Sequence, residues 1–318
     1  MKERIKKLLE TKPDLALRLI FFSGLLLGIF VLVKFSIHGF MNIQAYRIRS
    51  ETLPAPFQSL RENRQTLSIG DRGTWLESRF EFGQTYESFV KSTAPVSQSS
   101  IINLQLIGEF GERQRKVVDA TREYLSHFFC RPVISANNIS KESLPPEARR
   151  THPYDGHLQF HTEYIIDNLL PGILPKDAMF SVALTEVDLF PSEAWSFVFG
   201  QASLVNASAV ASLYRFDGRH LNDKDFLRSV IRTVSHEAAH AMNIRHCIAN
   251  LCLMNGAIDL KEAESTPLSL CPSCAAKLAQ ATTCSPRKRL KALYNFYVKY
   301  GLNWEAEQSL IELSMLPE

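Results

Sequence analysis

The sequence predicts an α/β fold in which a twisted, mixed sheet is packed with helices, carried by one sizeable domain with added segments at its N-terminus. Three observations predict it. From residue 101 onward, short apolar runs of strand character alternate with segments of helical period. A long amphipathic stripe, with apolar residues at 226, 227, 230, 231 and 234, follows the last of these strands. The 318 residues, 45% of them hydrophobic, suffice for one large core and leave chain to spare.

The elements follow in order. Residues 1–18 form a basic N-terminal segment with Lys2, Arg4, Lys6, Lys7, Lys12 and Arg18. The uncharged run Leu19–Val33 follows, and with Lys34 snorkelling the helix expected to about Ile37 would span roughly 28 Å, close to a bilayer core. Residues 19–37 are therefore expected to be a transmembrane anchor in contact with the lipid bilayer. The rival is a cleaved signal peptide, although no small-x-small cleavage site follows. The basic excess predicts a single-pass membrane protein with a cytoplasmic N-terminus and an extracytoplasmic catalytic domain. Residues 38–99 are expected to be a linker and small extension. Glu51–Pro56 and Ser92–Ser100 read as linkers, and Trp75, Phe80, Phe82, Tyr86 and Phe89 between them as a small packed element. No cysteine lies there to act as a metal-directed latch, so an extension packed on the domain is the expectation.

Residues 100–285 carry the main domain. Ile101–Ile107 and Arg131–Ala136 read as strands around a helix from Glu112 to Phe129, and Phe160–Leu170 reads as a helix. Met179–Leu184, Ser196–Leu204 and Ala207–Phe216 read as strands, with Ser196–Leu204 a candidate edge strand for peptide binding by strand addition. Residues 286–318 form a helical tail, with surface helices expected at Arg287–Tyr300 and Trp304–Met315 and a solvated basic face at Arg287–Arg289. The net charge of +3, from 36 basic and 33 acidic residues, is too balanced to argue for nucleic acid.

The chemistry concentrates in His236-Glu237-Ala238-Ala239-His240-Ala241-Met242-Asn243-Ile244-Arg245-His246. Residues four apart share a helix face, so His236 and His240 can bind one metal, and Glu237 can address a water there as general base. His246 can converge only if the chain turns sharply, and Asn243 sits where the turn should fall, being among the few residues that tolerate positive φ. The pattern reads as a zinc peptidase of the metzincin type, a hydrolase acting on a peptide or protein substrate. Cys247-x4-Cys252 and Cys271-x2-Cys274 have spacings that suit a structural zinc, with two disulfides as the competing reading. Cys130 and Cys284 are most simply buried or idle thiols. His157 and His161 read as surface or core histidines, and Asp188 as structural.

These residues resemble one family, the archaemetzincins. The block His236–Cys274 is similar to their combined signature, in which the zinc-binding helix runs into a four-cysteine site. Leu184–Phe190, Phe197–Ala202 and Ala211–Phe216 resemble the family's strand motifs in order. The resemblance implies a metzincin-like zincin domain with an active-site helix and an added four-cysteine zinc site. It implies two zinc ions: a catalytic one on His236, His240 and His246, with Glu237 as base, and a structural one on Cys247, Cys252, Cys271 and Cys274. Met254 would form the Met-turn beneath the first. The family usually has glycine where this chain has Asn243. The expected activity is hydrolysis of peptide bonds by a zinc-bound water with Glu237 as general base. The alternative is a membrane-tethered zinc-binding interaction module with little or no turnover.

Overall fold

Strands buried on both faces form the centre of the molecule, as near-continuous apolar runs require. The computed structural model describes residues 13–97, 100–217 and 221–317. Helix α1 (Pro13–Ser50) and the short α2 (Tyr86–Ser92) precede strand β1 (Ile101–Ile107), helix α3 (Glu112–Phe129) and strand β2 (Val133–Ser135). Strands β3 (Arg149–Thr151), β4 (Leu158–His161), β5 (Ala178–Thr185), β6 (Asp188–Phe190), β7 (Gly200–Ser203) and β8 (Ser208–Ser212) follow. The chain closes with helices α4 (Asp223–Ala241), α5 (Pro272–Thr282), α6 (Pro286–Lys299) and α7 (Asn303–Met315). The principal sheet runs β2-β1-β5-β8-β7, parallel except for β7, which pairs antiparallel with β8 and lies at the edge. A smaller sheet, β3-β4-β6, stands beside it. The architecture is the mixed α/β arrangement expected.

Helix α3 begins where the Gln114 side chain accepts from the Gly111 N–H, at 2.9 Å, and it ends at Cys130 with φ 53°. Helix α4 packs against α3, β7 and β8. Local boundaries shift where tertiary contacts override periodicity. Residues 158–161 are a strand, and the helical run after it contains a π-turn at Ile165–Leu169. Residues 200–203 alone form the expected edge strand, and Tyr214–Asp217 turns helical. The C-terminal helices are not merely superficial: Leu290, Leu293, Phe296 and Tyr297 are buried, and Arg289, expected to be solvated, is 6% exposed with its guanidinium 5.5 Å from the Phe128 ring.

Residues Phe22–Ser50 of α1 are long and apolar enough to cross a membrane, with Leu27, Phe30 and Leu32 exposed. The helix continues well past residue 37, and its last turns bury Met41, Ala45 and Ile48 in the main core. Residues 51–56 are also anchored: Leu53 is buried, and the Glu51 carboxylate accepts from Tyr86 N at 2.6 Å and Ser273 Oγ at 2.7 Å. Of the aromatic residues in the extension, Phe89 is fully buried, whereas Phe80 and Phe82 are exposed and pack on each other and on Phe40. The basic residues at positions 1–12 lie outside the described residues.

Cys130 and Cys284 correct the expectation of idle thiols. They form a disulfide across 154 residues, with Cα atoms 6.0 Å apart. It ties the left-handed end of α3 to the segment after α5, where Thr283 also has positive φ. Arg131 reinforces the junction by donating to the Thr282 carbonyl at 2.5 Å.

Candidate active site and metal centres

The site is built on α4. Asn222 caps the helix, its side chain accepting from Asp225 N at 2.9 Å, and Phe226, Val230, Ile231 and Val234 bury one face against the sheet. That anchoring fixes the rotation of the helix, so that His236 and His240 point the same way. Their Nε2 atoms lie 3.0 Å apart. The helix then breaks: Asn243 N donates to His240 O at 2.8 Å, Ile244 N donates to Ala239 O at 3.1 Å, and Asn243 adopts φ 64°. The expected left-handed turn is present, and the asparagine side chain fastens it by donating to Thr93 Oγ1 at 2.8 Å.

The turn returns His246 to the other two rings, with centroids 5.3 Å from His236 and 4.7 Å from His240. The three histidines offer ligand atoms within 4.8 Å of one another. Each Nδ1 is held by an acceptor: the Leu253 carbonyl for His236 at 2.8 Å, the Ile244 carbonyl for His240 at 2.6 Å, and the Glu81 carboxylate for His246 at 2.7 Å. Burial, with the neighbouring histidines, pushes the His236 imidazole well below its ordinary range, and burial takes His240 down to about 3. Both shifts favour the neutral ring, which is the form that binds metal. Converging neutral imidazoles with oriented rings fit a zinc ion.

Glu237 lies in a cleft of about 950 Å³ between α4 and the edge strand β7, with Trp75, Arg79 and Trp195 on its walls. Burial pushes its carboxyl up to about 8, against the pull of the buried Arg232 guanidinium. Gly200 on β7 makes the fit possible. A Cβ there would stand 2.6 Å from Glu237 Cγ and 2.8 Å from the Val210 carbonyl oxygen.

The four cysteines gather as a second cluster. Cys247, Cys252, Cys271 and Cys274 are buried free thiols whose sulfurs lie within 4.8 Å of one another, so the disulfide alternative does not hold for them. Backbone N–H groups of Cys271 and Met254 point at Cys252 Sγ, at 3.2 and 3.5 Å. Cys271 and Cys274 sit at the N-terminus of α5, which favours thiolates. Four buried sulfurs with backbone donors fit a tetrahedral zinc. Asn255 organises the loop: its amide donates to Cys247 O at 2.7 Å and accepts from Cys252 N at 2.8 Å. Met254 is fully buried in this turn, and its carbonyl accepts from Cys247 N at 2.7 Å.

The other singled-out residues are structural. Asp188, fully buried, accepts two bonds from Arg215 at 2.9 and 2.7 Å, and also meets His157 at 2.9 Å and Gln159 at 2.7 Å. His161 pairs with the Pro191 carbonyl at 3.1 Å. Sequence reasoning missed Glu81, Trp75, Gln84, Gly200, Arg232 and Asn255. Only the aromatic content of 75–89 signalled that the extension is packed. Nothing in that content said against what.

A sheet with an antiparallel edge strand, a helix carrying His-Glu-x-x-His beneath it, and a third histidine delivered by a left-handed turn define a zinc metallopeptidase of the metzincin type. The model of peptidase family M54 matches residues 114–280, and the chain belongs to that family, the archaemetzincins. It is 26% identical over 289 residues to archaemetzincin-2 of Mus musculus, covering 80% of this chain and 78% of that protein. It is 30% identical over 297 residues to archaemetzincin-1 of the same organism, covering 79% and 58%. The crystal structure of an archaemetzincin from Methanopyrus kandleri covers 58% of this chain and 96% of its own, with TM-score 0.48 and 24% identity.

Proposed function

We propose that this zinc-dependent peptidase cleaves its peptide or protein substrate at a zinc ion held by His236, His240 and His246, with Glu237 as general base. The observation that carries the reading is the meeting of three oriented imidazoles beside a half-buried carboxylate in a cleft bounded by the edge strand of the sheet. Zinc, when bound, supplies Lewis-acid polarisation of the scissile carbonyl and of the attacking water. Glu237 takes the proton from that water and passes it to the leaving amine. Its raised pKa in the metal-free chain follows from burial, and the cation in the cleft is what would favour the ionised form. The outer edge of β7 aligns an extended substrate by main-chain hydrogen bonds.

Cys247, Cys252, Cys271 and Cys274 would hold a second zinc, which would fix the loop that delivers His246. Helix α1 tethers the domain to a membrane, a reading supported by its exposed apolar residues 22–33. The Cys130–Cys284 disulfide supports an oxidising, extracytoplasmic side for the domain. The thiolates there would need to load zinc early to escape oxidation.

The test is zinc per chain together with turnover. Wild type should carry two ions and His240→Ala one. Glu237→Gln should keep both while losing peptide cleavage. Turnover that survives in Glu237→Gln would sink the general-base assignment. A wild type with a single ion that persists in His240→Ala would give the lead to the zinc-binding interaction module.

A further inference from the structure

A histidine that binds metal through Nε2 must carry its proton on Nδ1, and it does so reliably only when an acceptor holds that proton. Two of the three histidines find acceptors nearby in the chain, since Leu253 O and Ile244 O lie just beyond α4. His246 does not. Its Nδ1 meets Glu81 Oε1 at 2.7 Å, a contact spanning 165 residues and reaching into the N-terminal extension, before the family match begins at residue 114.

The carboxylate is itself held. Trp75 Nε1 donates to the same oxygen at 2.8 Å, and Trp75 N donates to both oxygens of Glu262 at 2.9 and 3.1 Å. The indole stands edge-on to His246, with centroids 5.4 Å apart, and rests on Gly256, where a Cβ would come within 2.6 Å of it. Glu81 N points at the buried Met41 Sδ on α1 at 3.4 Å. Gln84 clasps the turn before His246, donating to Asn243 O at 3.0 Å and accepting from Arg245 N at 3.2 Å. The extension thus supplies His246 with an anionic acceptor that can only accept, braced from both sides.

We infer that Glu81 is a positioning residue of the catalytic centre, holding His246 with its proton on Nδ1 and Nε2 turned to the metal, and so setting how tightly the centre keeps zinc. The inference rests on the three-histidine zinc reading. A carboxylate acceptor also makes the imidazole a stronger donor than a carbonyl does and places a negative charge behind a dication held by three neutral ligands. The N-terminal extension is then part of the metal centre and not merely a cover for it.

The test uses the full chain, with a graded zinc chelator as competitor and nitrogen NMR of the histidine rings in protein that retains only its cysteine-bound zinc. Glu81→Ala should weaken the zinc that His240→Ala removes by about 10- to 100-fold, leave the cysteine-bound zinc in place, and move His246 from the Nδ1–H tautomer to a mixture. Glu81→Gln, which keeps an acceptor of the same shape but loses the charge, should fall between, and it carries the test if Glu81→Ala does not fold. Wild-type zinc retention and an unchanged His246 tautomer in either folded variant would overturn the inference. A wild type without His240-dependent zinc would instead defeat the peptidase-centre reading, and the tautomer measurement would still decide whether Glu81 orients His246.

Discussion

Breaking the Cys130–Cys284 disulfide should destabilise the domain by an amount that its position fixes. The bond closes a loop of 154 residues, and the chain-entropy relation puts the cost of releasing such a loop in the unfolded state at about 5 kcal/mol at 25 °C. Removal of a native disulfide typically costs about 2–5 kcal/mol, so Cys130→Ser should lose an amount in that range. Cys284→Ser should lose the same amount, and the double substitution no more, because either change alone removes the cross-link. Urea unfolding of the zinc-loaded chain measures all three variants and the wild type at one metal concentration. Reduction of the wild type should bring it to the level of the double variant. Losses that add between the two single variants, or a double variant within about 0.5 kcal/mol of the wild type, well below the range for a native cross-link, would refute the assignment of the stabilisation to the bond.

Gly200→Ala should lower peptide cleavage by about a hundredfold with zinc content unchanged, since a methyl group there displaces the Glu237 side chain and meets the Val210 backbone. Cleavage at the wild-type rate would show that the carboxylate tolerates the shift. Asn243→Ala should cost about 1–2 kcal/mol in chemical unfolding, because alanine does not suit φ 64° and its side chain cannot bond to Thr93. Asn243→Gly should cost less than the alanine variant. Arg215→Met should cost about 3–5 kcal/mol by leaving the buried Asp188 carboxylate without its cation, and a thermal melt within a degree of the wild type would contradict this. Cys274→Ser should remove the cysteine-bound zinc and loosen the histidine-bound ion as well, as metal analysis after dialysis can show, because Cys247 adjoins His246.

What the sequence made legible was whatever a short stretch of chain determines. His236, His240 and Glu237 follow from helical spacing, and the left-handed turn at Asn243 from the conformational tolerance of one residue type. The cysteine cluster is readable because both halves carry ligand-like spacing. Helix α3 matched its expected limits: its apolar stripe runs from Val117 to Phe129, and Gly111 stands just before its polar first turn. The rest depends on contacts between distant segments. Cys130 and Cys284 have no local pattern to betray a pair 154 residues apart. Glu81 reads as one more surface acid until the fold places it against His246. Arg289 reads as solvated until α6 lays it over Phe128. Phe160–Leu170 reads as a helix, yet its first residues belong to the strand Leu158–His161, because a short run of this kind suits a strand end and a helix alike.

The unbroken course of α1 has a mechanical consequence. From Val33, the last residue of the uncharged run, to Met41 in the main core is eight residues of helix, about 12 Å. No slack stalk separates the two. Wherever residues 22–33 are embedded, the cleft is carried at a set height above that layer, like a tool on a rigid post. It sweeps a thin slab of space as the post drifts sideways and turns about its own axis. So embedded, the cleft would reach chains that cross the slab in extended form and not those folded higher.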